Sequence, residues 1–182
     1  MITIGIDPGA PGAAVALDER GAVVLVLTWR TSRRGFRLDH YSAIGDLPAR
    51  DLIPGRPSAL GGYLSRLLFD RQIGRLACED VFLHRNLKTT VTLARFGSGM
   101  CGPLEQRAGV AVDYVQASTW RAAVLGLRRN TRRAECKAAA LRFMPALVPG
   151  LDLAMAAVGE LDHVADAAGI ALWQLRQGRQ NG

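Results

Sequence analysis

Asp7, Glu79, His163 and Asp166, with Asp162 beside them, are the side chains whose types and positions could do chemistry together. Phosphodiester hydrolysis without a protein nucleophile is commonly run by divalent metals, and such hard cations need several carboxylates converging from separate elements. Asp7 ends a short β-rich run, Ile2 to Ile6, at the glycine turn Asp7-Pro8-Gly9, and Glu79 ends a second apolar run, Ile73 to Cys78. If those strands are neighbours in one sheet, both carboxylates project at the same edge, where α/β sheets place their sites. The third contribution comes from Leu161-Asp162-His163-Val164-Ala165-Asp166-Ala167. On a helix His163 and Asp166 lie about 60° apart, and Asp162, four residues before Asp166, shares nearly the same face. Taken singly, each acid reads better as a cap, a turn former or a solvated residue than as a ligand, Asp7 as a turn former before Pro8. The joint pattern points to a metal site.

The elements that must position these groups follow from periodicity. Ile2–Ile6, Ala13–Leu17 and Val23–Leu27 read as three opening strands, the last two joined as a hairpin around Asp18-Glu19-Arg20-Gly21. Residues 30–58 show no sustained period and are expected to be irregular and mobile. Ala59–Phe69 has one apolar helical face, Ile73–Cys78 is a buried strand, and Leu87–Ala108 is helical with close packing or a kink at its glycines and Pro103. Val110–Val115 is a strand, Ser118–Leu125 a short helix, and Thr131 is the expected N-cap of a helix stopping near Met144 before Pro145. Residues 145–158 read as a connection, and an amphipathic helix from Leu161 past Leu175 closes the chain. Early hairpins followed by strand and helix alternation predict a three-layer α/β fold with a mixed central sheet flanked by helices.

The chain has 182 residues, 49% hydrophobic, with net charge +7, and is read as one domain over 1–182. It lacks the ~18-residue apolar run of a membrane span and a basic-then-apolar leader, so a non-secreted, cytoplasmic or organellar protein with no membrane partner is expected. Cys78, Cys101 and Cys136 are odd in number and widely spaced, which argues for reduced thiols over a disulfide framework or structural zinc. The charge is clustered, +5 over residues 30–75 and +6 over 120–150, and is carried by 21 Arg against 2 Lys. Guanidinium groups suit bidentate phosphate contacts, so an anionic polymer is the expected partner, although an acidic protein would also fit.

Ile4-Gly5-Ile6-Asp7-Pro8-Gly9, Cys78-Glu79-Asp80-Val81-Phe82 and His163-Val164-Ala165-Asp166-Ala167 together resemble the RuvC family of Holliday-junction resolvases, of ribonuclease H-like fold. The similarity also takes in Asn86, Ser118-Thr119-Trp120-Arg121 to Gly126, and the basic helix from Arg132. The resemblance implies a homodimeric endonuclease that cuts four-way DNA junctions by symmetric nicking, with two Mg²⁺, or Mn²⁺, per site and no organic cofactor. It implies Asp7, Glu79 and Asp166 as metal-binding acids, with His163 where the family has an acid or a histidine, and Asp162 as its substitute. It also implies that Phe82 stacks near the junction and that Arg121, Arg132, Arg133 and Lys137 face the DNA. Its members fit a bacterial, phage or organellar source alike. A noncatalytic branched-DNA-binding protein on the same fold is the alternative, and an actin-like phosphotransferase, suggested by Asp7-Pro8-Gly9, is a second.

Overall fold

Period-two alternation decides which way each candidate acid points. The computed structural model describes residues 1–43, 52–80, 87–159 and 161–180. In β1 (Ile2–Asp7), Ile2, Ile4 and Ile6 enter one core, leaving Thr3, Gly5 and Asp7 for the opposite face. In β6 (Ile73–Asp80), Leu76 and Cys78 enter that same core, whereas Ala77, and with it Glu79, faces the other way. β1 and β6 are parallel neighbours with Ile6 opposite Cys78. Asp7 and Glu79 therefore emerge side by side on one face, which is the condition the sequence left to be met.

Around this pair the sheet runs β5-β4-β3-β2-β1-β6-β7. β2 (Gly12–Leu17), β3 (Val23–Ser32), β4 (Gly35–Ser42) and the short β5 (Leu52–Ile53) continue antiparallel from β1, while β7 (Val112–Gln116) pairs parallel with β6. Helices α1 (Pro57–Leu67) and α2 (Leu87–Ala108) cover one face through Leu60, Tyr63, Leu64, Met100 and Leu104. The other face carries α3 (Ala117–Leu125), α4 (Arg133–Leu147), α5 (Leu151–Val158) and α6 (Leu161–Gln180). The result is the three-layer α/β arrangement with a mixed sheet that the alternation of elements predicts.

Two expectations fail. Residues 30–58 contain regular structure, since β3 and β4 form a hairpin with Ser32 opposite Gly35 and β5 pairs with Phe36 and Arg37. β4 buries only Phe36 and Leu38 and presents polar residues otherwise, so a half-exposed strand carries too little apolar signal to stand out. The connection expected over 145–158 is also wrong. α4 starts after Arg132 rather than Thr131 and continues through Pro145 to Leu147, and Gly150 and Gly159, both in the left-handed region, bracket α5.

Gly5 lets α6 lie directly on β1. A Cβ there would overlap the Ala167 carbonyl and the Ala171 backbone, so no side-chain rotation relieves it. Gly5→Ala is expected to lower stability by about 2 kcal/mol or more, as such overpacking does, read by urea denaturation.

Candidate active site

Three elements bring the acids together: Asp7 at the end of β1, Glu79 near the end of β6, and Asp166 on the second turn of α6. All three line one cavity of about 840 Å³, together with His163. α6 is held there by the apolar stripe Val164, Ala165, Ala168 and Leu172, fully or largely buried against the sheet. The same helix thus supplies the adhesive face and, on its first two turns, the polar groups.

Each acid has an internal partner. The His163 ring nitrogen Nδ1 lies 2.7 Å from Asp7 Oδ2. An ionised carboxylate can only accept, so Nδ1 carries the proton and, in the neutral ring, Nε2 keeps the lone pair. Arg121 Nη2 donates to Asp166 Oδ2 at 2.9 Å, and Trp120 Nε1 donates to Glu79 Oε2 at 3.2 Å. Lys137 Nζ donates to Asp162 Oδ2 at 2.6 Å. Of the two neighbours on α6, His163 meets Asp7 and Asp162 turns to the Lys137 ammonium.

The carboxylates feel one another. Burial pushes Glu79 up to about 7, and the charges of Asp7 and Asp166 add to it against the opposing Trp120 N–H and Arg121 guanidinium. Asp166 is raised to about 6, because burial outweighs the Arg121 cation beside it and Asp7 repels it further. Arg121 Nε is itself buried with no hydrogen-bond partner among the described residues.

In donor type the set fits a hard divalent cation, with three carboxylates and one imidazole. In spacing, no three His, Cys, Asp or Glu among the described residues already converge closely enough to hold an ion. Asp166 is drawn to Arg121 and Asp7 to His163, so loading would exchange Arg121 for the cation at Asp166, while His163 keeps its hold on one oxygen of Asp7.

The basic groups come from α3, α4 and the loop between them. Arg121, Arg133 and Lys137 line the cavity, joined by Arg128 and Arg129 of the loop between α3 and α4. Arg132, the exposed residue preceding α4, is outside that lining. Phe82 and Asn86 lie outside the described residues. Sequence reading missed Trp120 as a partner of Glu79. Its nearest signal is the Trp120-Arg121 pair on a helix that starts directly after the strand beside β6.

By sequence, the chain matches no protein-family model and no curated protein. Solved structures do match. The structure of RuvC from Thermus thermophilus superposes with a TM-score of 0.54 at 16% identity, covering 100% of this chain and 97% of that one. RuvC of the same organism in complex with Holliday junction substrate gives 0.52 at 18% identity, covering 100% and 96%. Along its whole length, the chain has a RuvC-like, ribonuclease H-like α/β fold.

Proposed function

We propose that this chain is a metal-dependent endonuclease that resolves four-way DNA junctions by symmetric paired nicking, acting as a homodimer. The observation that carries this reading is the gathering of Asp7, Glu79, Asp166 and His163 from β1, β6 and α6 in one cavity with Arg128, Arg129 and Arg133 along its lining. A neighbour of the same fold, RuvC of Thermus thermophilus, is seen with Holliday junction substrate, which supports branched DNA as the substrate class.

Asp7, Glu79, Asp166 and His163 would hold Mg²⁺ or Mn²⁺. When bound, two such ions supply Lewis-acid polarisation of the scissile phosphate and a water nucleophile at neutral pH. The chain's own part is orientation and charge. His163 fixes one oxygen of Asp7. Arg121, released from Asp166, can move its guanidinium to a non-bridging phosphate oxygen and offset charge that builds up there. Arg128, Arg129 and Arg133 bind backbone phosphates and fix the strand's path without reading its sequence.

A second reading, a noncatalytic branched-DNA-binding protein, is favoured by the internal pairing of the acids, in which the Arg121 guanidinium already neutralises Asp166. Labelled synthetic four-way junction and matched linear duplex, incubated with the protein with and without Mg²⁺ and run on denaturing gels, separate the two. Paired nicks at symmetric positions in the junction alone are expected. Tight junction binding with no cleavage in Mg²⁺ or Mn²⁺ would establish the binding protein instead.

A further inference from the structure

A buried tryptophan N–H needs an acceptor, and the choice of acceptor is informative. Trp29 takes the Gly9 carbonyl, an acceptor from the backbone. Trp120, whose side chain is wholly buried, takes the carboxylate of Glu79, which faces the cavity. The sheet explains the meeting. β7 runs parallel to β6 with Val115 opposite Glu79 and Gln116 opposite Asp80, and α3 begins at the next residue, so its first turn folds back beside Glu79.

The other edge of the ring is equally fixed. Gly169 of α6 sits against the six-membered ring of Trp120, and a Cβ there would overlap it. Gly169 is three residues after Asp166 and so lies on the same face of α6. Next in the chain, Arg121 places its guanidinium 5.0 Å from the Trp120 ring centre and bonds Asp166. One rigid indole is therefore wedged between the strand that carries Glu79 and the helix that carries Asp166.

We propose that Trp120 is a positioning residue for Glu79, its indole N–H holding Oε2 so that Oε1 is presented to a divalent cation. This rests on the nuclease reading above. A glutamate has three side-chain torsions to lose on binding a cation, and a donor fixed by packing removes that freedom in advance. A neutral N–H orients the carboxylate without adding an opposing charge, whereas a salt bridge would add one. Arg121, by contrast, neutralises the acid it holds, so the two neighbours on α3 treat the two carboxylates differently.

The test uses the full chain with Trp120→Phe, and with β-(3-benzothienyl)alanine at 120, which keeps the shape of the ring and replaces N–H by sulfur. Mg²⁺ affinity is measured by calorimetry, junction affinity by gel shift, and cleavage as a function of Mg²⁺. Both variants are expected to bind Mg²⁺ about 10- to 100-fold more weakly, the range typical of lost partners of metal ligands, with junction affinity unchanged and cleavage recovered at high Mg²⁺. In a Glu79→Gln background, Trp120→Phe is expected to have no further effect on Mg²⁺ affinity. Wild-type Mg²⁺ affinity in the benzothienyl variant would overturn the assignment, whether or not Trp120→Phe folds. Unfolding of that isosteric variant would overturn it too, by making the bond a structural one. If the wild type itself neither binds Mg²⁺ nor cuts the junction, the nuclease reading falls, and the positioning role with it.

Discussion

Asp7→Asn is expected to lower junction cleavage by at least about 10³-fold, since removing one charged ligand from such a site costs several kcal/mol and each 1.36 kcal/mol is a factor of ten in rate. Asp7 is the carboxylate that the other two share, because its charge raises both Glu79 and Asp166. It also anchors His163, so one side chain links the strand acids to the helix pair. Asparagine keeps the shape and can still pair with the imidazole, so the fold and the cavity survive the change. What disappears is one negative charge. Junction affinity should hold or rise slightly, because a negative group beside the DNA path is gone. Single-turnover cleavage and gel-shift titration of the same preparation read the two effects separately. Cutting at an undiminished rate would remove Asp7 from the chemistry and the proposed function with it.

Much of this arrangement is legible in the sequence because it rests on short-range periods. The alternation of Ile2, Ile4 and Ile6 with Thr3, Gly5 and Asp7 gives the direction of Asp7, and the spacing of Val164, Ala165 and Ala168 gives the face of α6 that leaves His163 and Asp166 near the cavity. What the periods leave open is pairing. That β1 lies next to β6 is a long-range fact, and only there does the parity of Glu79 acquire a meaning. β4 escaped because its polar residues serve the solvent side of a strand near the sheet edge. α5 escaped because eight residues between two glycines are too few to establish a helical period. Trp120 was unreadable for another reason. A tryptophan in a short apolar helix is by composition a core residue, which it is, and only the position of its one polar atom against Glu79 gives it a second part. The division of labour between Asp162 and His163 likewise needed the place of Lys137, 25 residues upstream of Asp162.

Crowded acids should also leave a mark on stability, and its sign distinguishes this site from an ordinary set of salt bridges. In the folded chain Glu79 titrates near 7 instead of 4.5, and Asp166 near 6 instead of 3.8, with burial the largest cause for both. A group whose pKa is raised on folding binds its proton more tightly in the folded state, so its contribution is fully present below its unfolded pKa and is lost as pH rises through the folded one. The metal-free protein should therefore lose stability between about pH 4 and pH 8 on account of this pair, the reverse of a carboxylate held down by a salt bridge. Glu79→Gln removes the larger share. The difference in unfolding free energy between variant and wild type is expected to be near zero below pH 4 and to grow to about 3 kcal/mol in favour of the variant above pH 7.5, at 1.36 kcal/mol per pKa unit. Urea denaturation in EDTA across that range measures it. A difference independent of pH would mean that Glu79 is not held against its ionisation in the folded chain. The same titration with Mg²⁺ in place of EDTA should narrow or reverse the gap above pH 7, because a cation that binds only the folded chain stabilises it by mass action and Glu79→Gln has given up a ligand. The acids that make the metal-free chain costly to fold are thus the ones expected to make the cavity bind a cation.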